Sequence, residues 1–454
     1  MKKQIILLLL VPCLTMGQQT YIPDDNFEQV LINAGYDNVL DDYVLTSNIN
    51  SITSLNLANS NISDLTGIED FINLNYLNCS DNQISSLDLS SNLLLSIVLC
   101  QSNQITIINL GNNLNLKHLI CWGNLLQNIP ITDSLETLDC GFNLLTNLDV
   151  SNHNRINVLY CGNNLINNLL VDSCTNLEEI QCYNNLINNL VVSTVSRLKS
   201  LKCHFNMLNS LIVNDSLEYL QINNNNLTSL NFNNHENIEM IICYNNQLST
   251  IILNGTSNLT RIFAGNNPLV TIDLSTSPKL VQAVLNNNDL LSINVTNNLS
   301  LKQLRIDSNQ ISVLDISNND SLITFNCSSN QITTINIGIK ILLSAFNCSN
   351  NQIGEINFVN VDKTNINTFN TINNPNLYCI EVEDESWSTA LWTDIDTWSS
   401  FSEDCNYTSI EEYQTETKLL KIVDVLGRET KPATNTPLFY IYENGLVEKR
   451  IIIE

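Results

Sequence analysis

Apolar residues along this chain recur in a fixed frame, with polar residues between them. In Leu74–Asn92, LNYLNCSDNQISSLDLSSN, the inward candidates are Leu74, Leu77, Cys79, Ile84, Leu87 and Leu89. The frame returns 21 residues later as LSIVLCQSNQITIINLGNN. Aligned on the cysteine, equivalent positions run from Leu57 through Cys79, Cys100, Cys121 and Cys140 to Cys348, ending in a degenerate Thr371. Most steps are 21 residues, and two of 19 end at Cys140 and Ile222, each after the same DSLE. An asparagine stands three places after the site in every coil from Asn82 to Asn374, and Ser60 takes that place in the first. Leu77 and Cys79 alternate with Asn78, which predicts a short strand with Leu77 and Cys79 inward and Asn78 outward. The asparagine comes where the strand turns. Its amide can satisfy backbone groups of its own coil and the next. Only five residues separate Leu89 from Leu95, too few for a helix, so extended or 3₁₀ segments are expected there.

Residues 52–376 therefore predict about sixteen stacked coils, roughly 75 Å long at the spacing of parallel strands. The consensus L-x-x-L-x-C-x-x-N-x-I/L-x-x-L-x-L/V resembles the leucine-rich repeat. The expected fold is a leucine-rich-repeat solenoid. It has a parallel β-sheet on the concave face, extended or 3₁₀ segments on the convex face, few helices, and a small C-terminal β appendage.

Ten cysteines occupy the inward site, but other coils put Leu, Ile or Ala there. A metal site does not tolerate that exchange, and ligands strung in a line do not converge on one ion. In-register strands also hold Cβ atoms about 4.8 Å apart, beyond the disulfide range. Free buried thiols serving as small apolar residues are expected. Cys379 and Cys405 lie outside the repeat, flanking an acidic, tryptophan-rich segment, and a disulfide is expected there. Cys174 stands alone on a coil connection and is expected to be unpaired.

A stack of coils exposes apolar ends and needs caps. At the front, residues 18–51 contain PDDNFEQVLINAGYD, which predicts a short amphipathic helix capped by Asp24 or Asp25 and stopped at Gly35. At the back, residues 377–408 offer Trp387, Leu391, Trp392, Trp398 and Phe401 as cover, with a short helix. The opening MKKQIILLLLVPCLTMGQQ reads as a secretory signal peptide over residues 1–17, cleaved after Gly17. No later run is long and apolar enough for a membrane span.

From residue 409 to 454 the texture changes to strand-like runs at Leu419–Val425, Leu438–Tyr442 and Leu446–Ile453, with a turn at Asn444-Gly445. Val423-Asp424-Val425-Leu426-Gly427-Arg428-Glu429, Pro437–Tyr442, Gly445 and the final Ile451–Glu454 resemble the C-terminal sorting signal of type IX secretion substrates in Bacteroidota. The resemblance implies handling by the type IX machinery and a secreted or outer-membrane-surface location. The front cap and repeats, carried by DLTGIEDFINLNYLNCSDNQ at 64–83, resemble internalin-like leucine-rich-repeat surface proteins. That implies binding or adhesion and names no ligand.

Charge narrows the partners. With 19 basic against 45 acidic residues and a net charge of −26, the phosphate-neutralising surface of a nucleic-acid binder is missing. No nucleophile elbow, phosphate loop or H-E-x-x-H occurs, so no catalytic, metal or cofactor residues are assigned and an enzyme is not expected. Outward sheet positions say more. Aromatics make up 6% of the chain, yet consecutive coils gather them on one face between residues 118 and 263. The candidate ligand residues are Trp122, Tyr160, Tyr183, Lys202, Tyr219, Tyr244, Phe263 and Arg305. Rigid exposed rings suit binding of a protein or a glycan. The competing reading is cross-strand stacking that serves only the sheet. It belongs with a chain that acts as a spacer or matrix component without a specific ligand. Beyond coil 13 the same positions hold Asn326, Ser328, Asn347 and Ser349.

Overall fold

The computed structural model describes residues 17–405, 419–424, 428–442 and 447–450. The chain divides into two compact units between Glu403 and Asp404.

In the first unit a parallel sheet of sixteen strands runs from Ser54–Asn56 to Thr368–Asn370, one three-residue strand per coil. The frame repeats at the register of the strands: Tyr76 pairs with Ile97, and Asn78 with Leu99. The middle residue of each strand is buried, as are the cysteine and its equivalents two residues after it. The asparagine ladder accounts for the turn. Asn185 donates to the carbonyls of Cys161 (3.0 Å) and Cys182 (3.1 Å), and its Oδ1 accepts from the Ile166 amide at 2.9 Å. One side chain thus satisfies two coils, where an unpaired buried backbone group is costly.

The connections are extended, as their length requires. Adjacent coils pair again on the far side, for example Ser86–Asp88 with Ile107–Asn109 and Val313–Asp315 with Thr334–Asn336, all parallel. Short 3₁₀ turns occur at Ile68–Asp70 and Lys363–Asn365. A second internal column lies three residues after the inward residue that ends this far segment. It holds Asn92, Cys174, His235, Thr256, Asn319 and Lys340, all buried. Asn319 donates to the carbonyls of Val295 (2.9 Å) and Asn298 (3.0 Å), and the Cys174 thiol donates to Val150 O at 2.9 Å.

The repeat cysteines are free and buried, seven of them in consecutive coils from Cys79 to Cys203. Cys174 is free as well. Burial pushes the Cys79 thiol up to about 12, which keeps it protonated, and the repeat cysteines pack as small apolar residues. Cys379 and Cys405 are both disulfide-bonded.

The front cap is the helix Asp25–Asn33 with Asp24 as N-cap, its carboxylate accepting from the Asn26 and Phe27 amides. The second oxygen of Asp24 accepts from the Ser63 and Asp64 amides, tying the helix to the first coil. Phe27 and Leu31 are buried, and Phe27 stacks on Phe71 at 6.0 Å. An antiparallel pair, Gln19–Tyr21 with Tyr43–Leu45, completes this cap; its pairing partner lies beyond the helix, so local pattern alone did not mark it.

At the back, the helix Glu385–Leu391 and strands Cys379–Glu381 and Ser400–Ser402 close the stack. Trp392 stacks on Phe369 at 4.4 Å and meets Phe358 and Phe401. Two residues expected as cover are not. Leu391 and Trp398 are 58% and 48% exposed, because Trp392 and Phe401 already fill the end of the core.

The second unit carries three antiparallel strands, Leu419–Val423, Leu438–Tyr442 and Val447–Arg450, with the middle one central. Ile422, Leu438 and Tyr440 form its small core. Residues 1–16 of the expected signal peptide, Val425-Leu426-Gly427, the expected turn at Asn444-Gly445 and the final Ile451–Glu454 lie outside the described residues. Among the described residues no helix is long and apolar enough to cross a membrane.

Candidate ligand-binding face

Because side chains alternate along a strand, the first and third residues of each strand face away from the core. The residue after the buried cysteine site continues the same face. Tyr160, Lys202, Phe263 and Arg305 occupy third positions and Tyr219 a first position. Trp122, Tyr183 and Tyr244 follow Cys121, Cys182 and Cys243. In-register stacking turns each position into a column across the sheet.

These residues do not form one cluster. Trp122, Tyr160 and Tyr183 surround a single concavity of about 260 Å³, with Asp139, Gly141, Phe142, Gly162 and Gln181 completing its lining. Lys202 and Tyr219 form a separate pair, the Lys202 Nζ 5.8 Å from the ring centre. The Tyr219 hydroxyl donates to Gln221 Oε1 at 3.1 Å. Tyr244 and Phe263 continue the face in later coils. Arg305 stands apart from the aromatic band and is held by Asp307, Nε to Oδ1 3.1 Å.

Polar groups around the concavity are largely turned to one another. The Tyr160 hydroxyl donates to Glu179 Oε2 at 3.0 Å, and Gln181 Nε2 donates to Glu179 Oε1 at 2.7 Å. Burial and the Glu179 carboxylate push the Tyr160 phenol up to about 12. Tyr183 stacks on His204, centroids 4.8 Å apart and planes within 9°. Burial, and then the neighbouring Lys202, hold the His204 imidazole below its usual range, which favours the neutral ring.

Sequence reasoning passed over Gly141 and Gly162 and left Asp139 and Phe142 outside the candidate set. The signal was available in part: two glycines in succession sit in the column between Trp122 and Tyr183. Elsewhere, Glu28, Asp37 and Asp41 in the front cap bring carboxylate oxygens within 4.8 Å of one another. Glu28 is buried and already accepts from the Asp41, Asp42 and Tyr43 amides, so its carboxylate is committed within the cap.

No family model matches the chain. A 78-residue stretch, 17% of the chain, is 37% identical to Internalin J of Listeria monocytogenes serotype 4b (strain F2365) and spans 8% of that protein. The solved functional domain of InlJ from Listeria monocytogenes, described as including a cysteine ladder, aligns over 95% of this chain and 97% of its own, with a TM-score of 0.65 and 24% identity. The fold is an internalin-like leucine-rich-repeat solenoid. YopM from Yersinia enterocolitica WA-314 shares the fold at TM-score 0.56 and 18% identity, over 68% of this chain and 78% of its own. The internalin InlF from L. monocytogenes does so at 0.52 and 21% identity, over 69% and 92%.

Proposed function

We propose that this solenoid is a non-enzymatic, exported binding protein whose concave sheet face, over residues 118–263, holds a protein or glycan ligand. The convergence of Trp122, Tyr160 and Tyr183 on one concavity carries the reading. Rings fixed on a rigid sheet lose little freedom when they bind and offer large apolar area. Ser328 and Ser349 stand in the same column further along, so the sheet itself does not require rings there.

In this reading residues 1–17 direct export, 18–51 and 377–408 cap the stack around repeats 52–376, and 409–454 act as a type IX sorting signal that delivers the chain to the cell surface or beyond. The strand-rich second unit supports that last role.

The test screens the full chain against glycans and against host and bacterial surface proteins. It is then repeated with Tyr183→Ala combined with Tyr244→Ala. Loss of binding with an unchanged melting temperature is expected. Intact binding with a large loss of stability would make the rings structural and the chain a spacer.

A further inference from the structure

In the column that follows the buried cysteine site, adjacent coils carry Trp122, Gly141, Gly162 and Tyr183. The two glycines leave a notch between the two rings. Gly162 is needed for the second wall: a Cβ there would come within 2.9 Å of the Tyr183 ring, which lies down over the bare backbone. His204 holds that ring from its other side. Asp139 lines the notch. Its Oδ1 accepts from the Gly141 amide at 3.2 Å, and among the described residues its second oxygen has no partner. Burial raises its carboxyl above the usual range, and no cation opposes that effect. Two donors of the lining, Tyr160 and Gln181, are committed to Glu179. A half-buried carboxylate between two rings is thus left without a counter-charge.

We propose that this notch receives the arginine or lysine side chain of a protein partner, with Asp139 as its counter-charge and Trp122 and Tyr183 as flanking rings. The proposal rests on the concave face being the ligand surface. Ring faces attract a cation, and a carboxylate oxygen that lacks a donor gains a charge-assisted hydrogen bond. The opening is smaller than a typical small-molecule pocket and suits one side chain.

The rim favours a protein over a sugar. The second residue after the cysteine site is left-handed in coil after coil, and most coils place Asn, Ser, Asp or Gly there. Phe142 (φ 52°) and Phe205 (φ 53°) break the rule and are 56% and 53% exposed. A bulky residue is strained in that conformation, and strain of this kind collects at functional sites. Beside them, Leu144, Leu165 and Leu186 are exposed in a column where other coils carry Gln104, Gln247 and Gln310. Aliphatic groups give nothing to sugar hydroxyls. They suit apolar residues flanking a basic one.

A displayed library of random peptides, panned on the full chain and on its D139N and Y183A variants, tests this. The expected winners carry an arginine or lysine flanked by apolar residues. Synthetic peptides of that consensus should bind at least about tenfold more weakly to D139N, a loss of a size expected for one charged pair. Replacing their basic residue by Gln should cost about the same, and that peptide-side change keeps the test valid even if D139N folds poorly. Winners that lack a basic residue yet lose binding on Y183A would overturn the cation assignment and leave the concave reading standing. Winners indifferent to both variants would overturn both. An oligosaccharide array run in parallel completes the set. Saturable sugar binding that D139N leaves unchanged, or failure of any peptide to enrich, would end the proposal.

Discussion

The coils that carry Cys121 to Cys203 and those that carry Cys327 and Cys348 share their interior and differ in what they show to solvent. Asn330 repeats the bonds of Asn185: it donates to Ile306 O (2.9 Å) and Cys327 O (3.0 Å) and accepts from the Ile311 amide at 3.0 Å. The column after the cysteine site holds Trp122, Tyr183 and His204 in the first region and, in the second, a half-buried Ser328 and a buried Ser349. One backbone rule tolerates either surface. In the proposed reading the rings answer to a ligand, and breaking each half of the comparison separates scaffold from surface.

The largest effect should come from the interior both regions share. A thiol near 8.5 when unfolded is raised by burial in the fold, to about 12 at Cys79. The stability tied to it is fully present below the unfolded value and is lost as pH rises toward the folded one. Each such thiol removes about 1.4 kcal/mol per pH unit in that window, and burial raises the thiols of both regions, Cys203 and Cys348 included. With reductant present, the urea midpoint should fall steeply between roughly pH 9 and 11, and Cys161→Ala should make the fall shallower. A midpoint that stays level through this range would contradict the buried-thiol column.

Next in size is the asparagine ladder. Asn185→Ala and Asn330→Ala each strip partners from two carbonyls and one amide, at about 3 kcal/mol or more in total. Denaturant unfolding should show nearly equal losses. A clear inequality would mean that the two regions do not share their scaffold.

These interior columns were legible in the sequence because they repeat with one residue type at one spacing. The second column was not. Asn92, Cys174, His235, Thr256 and Lys340 share no chemistry, only a place in the coil. Lys340 is fully buried there, its Nζ donating to Ile339 O at 2.9 Å, which no charge pattern foretells. The face was legible as a band of rings, since alternation along a strand assigns the outward residues. The notch was not, because it depends on Tyr183 lying across Gly162, a choice of side-chain direction that spacing leaves open. The exposure of Phe142 and Phe205 was hidden for a related reason: only backbone geometry shows that they stand where coils prefer Asn or Ser.

On the surface side, Tyr183→Ala with Tyr244→Ala should abolish ligand binding while moving stability by no more than about 1 kcal/mol, the scale of one lost ring stack. Ser328→Ala, in the same column of the plain coils, should change neither. Equal binding losses from the two changes would spread the ligand surface over the whole sheet and dissolve the comparison.

The smallest and most selective change is Gly162→Ala. Its backbone is not left-handed, and the atoms nearest the added methyl are those of the Tyr183 ring, the first at 2.9 Å. A surface side chain can swing away, so stability should change by less than about 0.5 kcal/mol. The ring, lifted off the backbone, loses its stack on His204 and narrows the notch. A ligand that uses the notch should then bind several-fold more weakly, with unfolding unchanged, while Ser328→Ala in the same column leaves binding intact. Calorimetric titration beside a thermal melt reads both quantities. If G162A binds like the parent, Tyr183 acts as a ring at any angle and its posture over the glycine is a packing accident. If it weakens binding alone, the absence of a side chain at residue 162 belongs to function as much as the rings do.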